Sequence, residues 1–210
     1  MKVVIADDHP AITMFTTELV SRRLSGGDHI EVVSSADDLV ELLHGEAEVV
    51  GVVILDLTMP GRWKRLQLVR QVRTIVPTAR VMVYSASDEP LLVAAILAEG
   101  VQGFVLKSSP KASLLAGLDA TLQGVDYVDP AIELDQAQGH PWLTLTEAER
   151  GVFVALANGV DLRTLAAERD RSPKTIEAQK YSALNKLGIK PSEIAPYVTQ
   201  HGLRYELDAG

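Results

Sequence analysis

The chain has 210 residues, room for one large domain or two small ones, and its 47% hydrophobic and 23% charged residues exclude a disordered or fibrous chain. It contains no cysteine, which removes disulfides, thiolate metal sites and cysteine nucleophiles together. The net charge of −8 argues against a nucleic-acid partner until the chain is divided: residues 1–140 hold 11 basic and 19 acidic residues, whereas 161–190 hold 7 basic against 4 acidic. A basic patch inside an acidic chain suggests two domains with different partners. No apolar run approaches a membrane span and no signal peptide follows Met1, so a soluble cytoplasmic protein is expected.

Five short apolar runs open the chain order: Val3–Ala6, Ile30–Val33, Val49–Leu55, Arg80–Tyr84 and Gly103–Leu106. Most are β-branched without polar alternation, as in strands covered on both faces. Helical periodicity lies between and after them, at about 11–24, 36–44, 66–75, 89–99 and 110–123. Repeated strand–helix units predict a doubly wound α/β domain with a five-stranded parallel sheet in the flavodoxin-like order 2-1-3-4-5. Residues 126–142, punctuated by Pro130, Gly139 and Pro141, read as a linker after a first domain at 1–125. From 143 to 210 only helical patterns remain, at about 146–158, 161–169, 173–187 and 191–200, predicting an all-α domain of four helices. Thr146 and Glu149 have capping-box spacing, and Pro173 suits a first helical position.

The polar residues of the first domain fall where such sheets build their sites, at the carboxyl ends of strands. Asp7 and Asp8 follow the first strand, Asp56 ends the third, Ser85 follows the fourth and Lys107 follows the fifth. Taken singly, each has a bland explanation: a turn, a helix cap, a surface lysine or a structural serine. Together they outline a pocket. Three carboxylates repel one another unless a cation joins them, and oxygen-only ligands with room for water suit Mg²⁺. A lysine and a hydroxyl opposite would complete a cradle for one phosphoryl group.

At these residues the chain resembles the response-regulator receiver family. The matching stretches are Val4-Ile-Ala-Asp-Asp-His-Pro10, Ile54-Leu-Asp-Leu-Thr-Met-Pro-Gly61, Val83-Tyr-Ser-Ala86 and Gly103-Phe-Val-Leu-Lys107, over roughly residues 1–124. The resemblance implies Asp56 as phosphoacceptor, with Asp7, Asp8, Asp56 and the backbone carbonyl of Thr58 holding Mg²⁺. It implies that Lys107 pairs with the phosphoryl group and that Ser85 is the switch hydroxyl. Phe104 would be the aromatic switch that turns inward on phosphorylation, where many relatives carry tyrosine. The donor would be a sensor histidine kinase or a phosphotransfer protein. One departure stands out: Arg62-Trp-Lys-Arg65 replaces the usual short Asp-Gly segment, and reads as a solvated turn in preference to a partner-docking feature.

The second domain resembles the LuxR-type helix-turn-helix, through Leu145–Phe153, Ala157–Gly159, Ser172–Ile176 and Lys186–Ile189. The segment 174–188 is similar to the Rcs capsule-regulator branch of the NarL/FixJ group, notably at Gln179-Lys180 and Ser182-Ala183. Periodicity turns Ile176, Ala183, Leu184 and Leu187 inward, leaving Lys174, Glu177, Ala178, Tyr181 and Asn185 on the opposite face. An ordinary amphipathic surface helix would show the same polar face. The resemblance raises it to a recognition helix in the major groove of promoter DNA, with Thr175, Gln179 and that outward face at the bases, and with Arg171, Lys180 and Lys186 near phosphates. Arg169, where relatives are usually apolar, is expected to snorkel outward. The whole reads as a two-component transcription regulator, a homodimer when active, able to share DNA with an auxiliary regulator. No enzymatic activity is expected beyond self-phosphorylation and autodephosphorylation. A regulator independent of phosphorylation is a second reading. A phosphohydrolase using Asp56 as nucleophile is a third, disfavoured because Asp56-Leu-Thr58 lacks a second acid two residues on.

Overall fold

The computed structural model describes residues 1–157 and 159–201; Asn158 of the expected turn and the end of the expected second domain, 202–210, lie outside the described residues. The chain divides into two compact units between Leu134 and Asp135.

The first unit alternates strand and helix: β1 (Lys2–Ala6), α1 (Pro10–Ser21), β2 (His29–Val33), α2 (Ala36–Glu46), β3 (Val50–Leu55), α3 (Arg65–Ile75), β4 (Arg80–Ser85), α4 (Pro90–Ala98), β5 (Gly103–Leu106), α5 (Lys111–Gln123) and β6 (Tyr127–Val128). All pairings are parallel, in the order β2-β1-β3-β4-β5-β6. The expected order 2-1-3-4-5 is present, with one strand added at the edge. β6 lies in the stretch read as linker; two residues are too short for a periodic signal, and only the bonds Tyr127 N–H to Gln102 O (2.8 Å) and Asp129 N–H to Phe104 O (2.8 Å) make them a strand.

The apolar strand residues are buried because helices cover both faces of the sheet: Val3, Ile5, Val52, Ile54, Met82 and Val105 pack with Leu19, Val20, Leu114 and Leu118 of α1 and α5. The approach of α5 is close enough to require glycine in the strand, since a Cβ on Gly103 would stand 2.7 Å from both Met82 Cγ and Thr121 Oγ1. α2 begins where its sequence says it should, with the Ser35 hydroxyl accepting from Asp38 N–H. Asp37 and Asp38 occupy its positive first turn.

A short 3₁₀ turn at Leu134–Ala137 spans the boundary, and the second unit holds two more, at Pro141–Thr144 and Pro191–Glu193, with the helices α6 (Glu147–Ala157), α7 (Leu162–Glu168), α8 (Pro173–Leu187) and α9 (Ile194–Gln200). The capping box forms: Thr146 N–H donates to Glu149 Oε2 at 2.7 Å, and Glu149 N–H to Thr146 Oγ1 at 3.3 Å. Val152, Leu165, Ala166 and Ile176 make one core of α6, α7 and α8. Trp142, Phe153 and Tyr197 stack edge-to-face beside it, at 5.3 and 5.7 Å between rings. Trp142, at the end of the expected linker, is therefore core. Arg169 is exposed, and its guanidinium lies over Gly151, 2.6 Å from where a Cβ would stand. The glycine in α6 is the space into which this unusual arginine fits.

Candidate functional site

A parallel sheet brings all its strand carboxyl ends to one edge, and the pocket residues are the first residues past those ends. Each is fixed by the ladder it has just left: Asp7 N–H donates to Val33 O (3.1 Å), Asp56 N–H to Ala6 O (2.8 Å) and Lys107 N–H to Ser85 O (2.8 Å). The side chains converge accordingly. Lys107 Nζ lies 2.7 Å from Asp7 Oδ2 and 2.8 Å from Asp56 Oδ2. Asp56 is only 1% exposed and also accepts from Thr58, through its N–H and its hydroxyl, each at 3.2 Å from Oδ1. Burial alone would lower the Lys107 ammonium's pKa; its bonds to Asp56 and Asp7 outweigh that and hold it above the ordinary lysine value. Burial raises the nearby Tyr84 phenol, opposed by Lys107 and assisted by Asp7.

Three carboxylates thus face a single lysine. Asp7, Asp8, Asp56 and His9 each offer a ligand atom, all within 4.8 Å of one another. Asp8 Oδ1 is buried and, among the described residues, only the His9 ring approaches it, outside hydrogen-bond geometry, which leaves it able to take a cation. The donor set fits a hard divalent ion such as Mg²⁺. His9 is the residue that the sequence reading passed over. Its N–H donates to Asp7 Oδ1 (2.9 Å) and its Nδ1 lies 2.9 Å from Asp8 Oδ1, so it steadies both acids. Its place directly after the acidic pair was the available signal.

Phe104 is fully buried in β5, and a phenyl ring, with no polar tip to keep wet, has nothing to oppose that burial. One expectation for this unit needs correction: Arg62–Arg65 is not a solvated turn. Lys64 Nζ donates to Met59 O (2.6 Å), Arg62 N–H to the Asp37 carboxylate (3.2 Å), and Arg65 is 7% exposed, paired with Glu89 at 3.1 Å. Ser85 is fully buried, its hydroxyl accepting from Ser87 N–H at 3.3 Å.

In the second unit, Ser172 caps α8 by accepting from Thr175 N–H at 3.1 Å. Ile176, Ala183, Leu184 and Leu187 are buried as expected. Arg171, Lys174, Thr175, Glu177, Ala178, Tyr181 and Asn185 are exposed, whereas Gln179 and Lys180 are half-buried. Lys180 Nζ lies 4.9 Å from the centre of the Tyr181 ring. Lys186 is exposed too, but its Nζ is engaged within the unit, donating to Glu149 Oε2 (2.7 Å) and Thr144 O (3.3 Å). Glu149, 6% exposed, also accepts from the Ser182 hydroxyl at 2.6 Å. Burial pushes the Glu149 carboxyl's pKa up, but Lys186, Ser182 and Thr146 outweigh it and bring it down to about 2. A buried charge needs its partner, and here Lys186 is that partner.

Comparison with known proteins follows the same outline. The response regulator receiver domain matches residues 3–119. The probable transcriptional regulatory protein NarL of Mycobacterium tuberculosis is 32% identical over 198 residues, 90% of this chain and 88% of that one. The transcriptional regulatory protein RcsB of Escherichia coli is 29% identical over 197 residues, 90% of this chain and 89% of its own. Among solved structures, two RcsB dimers bound to two parallel DNAs align at TM-score 0.60 and 25% identity, over 95% of this chain and 98% of that one. RcsB of Salmonella enterica serovar Typhimurium, bound to promoter rprA with the phosphomimetic BeF₃⁻, aligns at TM-score 0.56 and 26% identity, over 95% and 98%.

Proposed function

The chain belongs to the response-regulator receiver family, and from that premise we propose that it is a DNA-binding transcription regulator of a two-component system, controlled by phosphorylation of Asp56. The observation that carries this reading is the pocket itself: a buried Asp56 at a strand end, held by Lys107 and flanked by Asp7 and Asp8. A sensor histidine kinase or phosphotransfer protein is the donor. The phosphohistidine N–P bond breaks as a carboxylate oxygen of Asp56 forms the new O–P bond, and the freed imidazole takes up a proton. Little covalent work falls to the protein beyond aligning Asp56 and neutralising charge. Asp7, Asp8, Asp56 and the Thr58 carbonyl would hold Mg²⁺, which supplies charge neutralisation at the phosphoryl oxygens when bound. Lys107 leaves the Asp56 oxygen for the phosphoryl group, and Ser85 supplies a hydroxyl donor to it.

The output is DNA. α8 offers Lys174, Thr175, Glu177, Ala178, Tyr181 and Asn185 to base edges, with Gln179 beside them and Arg171 and Lys180 near phosphates, as a recognition helix does. One solved RcsB structure holds two dimers on two parallel DNAs, which supports a homodimer reading two half-sites here. Among the described residues no helix is long and apolar enough to cross a membrane, consistent with a protein working in the cytoplasm beside its promoter. Turnover of a small-molecule substrate forms no part of this function; phosphoryl gain and loss at Asp56 is the whole of its chemistry. A second reading is regulation without phosphorylation, through constitutive dimerisation or another ligand. One experiment separates them. Acetyl phosphate with Mg²⁺ adds one phosphoryl group to the wild type and none to Asp56→Asn, and labelling that persists in the variant removes the assignment.

A further inference from the structure

We propose that Arg65 and Glu89 are positioning residues whose ion pair holds the loop after Ser85 in its resting conformation and so sets how much phosphoryl binding is needed to move it. The proposal rests on Asp56 being the phosphoacceptor. Three observations converge on it. Arg65 and Glu89 join, at 3.1 Å, the two loops that leave the pocket: the one after β3, which begins at Asp56, and the one after β4, which begins directly after Ser85. Arg65 is anchored at the pocket end, since its N–H donates to the carbonyl of Leu57, the residue directly after Asp56. Glu89 is anchored at the far end, as the N-cap of α4, its carbonyl accepting from Val93 N–H.

The second observation is conformational. Arg65 has φ +41°, in the left-handed region that an arginine rarely adopts, and it is 7% exposed. Such a conformation persists only when the surroundings over-determine it. The Leu57 bond and the Glu89 pair are two of the contacts that do so.

The third concerns what can move. A phosphoryl group on Asp56 recruits the Ser85 hydroxyl, which at rest accepts from Ser87 N–H at 3.3 Å. Redirecting it disturbs the segment Ala86–Glu89 at one end while Arg65 holds it at the other. The resting loop is therefore retained by the ion pair, and activation strains or breaks it.

The test is the affinity for beryllofluoride at saturating Mg²⁺, measured by calorimetry on the full chain for wild type, Glu89→Gln, Arg65→Gln and the double variant. Melting curves and Mg²⁺ affinity accompany each one. Release of the loop tightens beryllofluoride binding about fivefold or more in both single variants, the size of an ordinary coupling between sites. The double variant does no better than either single, because one pair is lost in all three. A through-space charge effect gives the opposite pattern: losing an acid tightens anion binding and losing a base loosens it. That result overturns the proposal, as do loosening in both variants or no change. Should Arg65→Gln unfold, Glu89→Asp decides: it keeps the negative charge but shortens the reach to Arg65, so the latch predicts tightening, and no change or loosening overturns it. Failure of the wild type itself to bind beryllofluoride removes the Asp56 reading and the latch with it; binding in the wild type without change in the variants removes the latch alone.

Discussion

Each unit of the molecule buries a charged cluster, and the two are built in opposite ways. Around Lys107 there are more carboxylates than cations, and Asp8 Oδ1 is buried with only the His9 ring beside it among the described residues. Around Glu149 the account closes: the carboxylate receives Lys186, the Ser182 hydroxyl and Thr146 N–H. An unbalanced cluster is a site waiting for a ligand, and a balanced one is architecture. Both contain a buried carboxylate paired with a lysine, so burial of the acid alone does not tell them apart. The surplus does.

The largest expected effect tests this contrast on stability. Glu149→Ala removes the partner of the part-exposed Lys186, the acceptor of the Ser182 hydroxyl and half of the capping box, and destabilises the second unit by about 1–2 kcal/mol. Asp8→Asn does the reverse in the first unit: it relieves like-charge repulsion, leaves the melting temperature equal or higher without metal, and abolishes most of the stabilisation that Mg²⁺ gives the wild type. Denaturant unfolding of both variants, with and without Mg²⁺, measures it. Equal losses in the two variants would dissolve the distinction.

Acid sharpens the comparison. The Glu149 pKa is depressed to about 2 from 4.5, so its contribution is complete above the unfolded value and is lost as pH falls from about 4.5 toward 2. His140 and His201, their rings 4.7 Å apart, are both depressed by burial, and His140 further by His201. A lowered histidine pKa favours the neutral form when folded, so stability begins to fall as pH drops below the ordinary value of about 6.5. The second unit therefore weakens in two stages in acid. Far-ultraviolet circular dichroism against pH checks it, with a double His140→Gln, His201→Gln variant removing the upper stage only.

The smallest effect lies on the recognition helix, where two lysines that look alike in sequence should part. Lys180→Ala weakens binding to all DNA sequences and lowers the salt slope by about one unit, as one lost phosphate contact does. Lys186→Ala leaves the salt slope unchanged and acts through stability, because its ammonium is spent on Glu149. Fluorescence anisotropy at several salt concentrations separates the two. Equal slopes for both variants would return Lys186 to the DNA.

Much of this was legible in residue order alone. Apolar runs named five strands in their correct places, and Ser85, Asp56 and Lys107 could be put at one edge because a parallel sheet leaves no other arrangement. The inward stripe of α8 followed from a period of 3.6 residues, and its buried members are the expected ones. Caps were legible for the same reason, since Thr146 and Glu149 stand within one turn.

Tertiary structure alone decided the rest. β6 exists because two residues found the open edge of β5, not because they carry a strand pattern. Arg65 reaches Glu89 across 24 positions, and Lys186 reaches Glu149 across 37. Phe104 lies inside because packing left it room. The physical reason is common to all of them. Periodicity and capping are local, so sequence spacing determines which side of an element meets water. The choice of partner for a long charged side chain depends on which elements pack together and on the rotamers left open there, and neither is written in any stretch shorter than the fold.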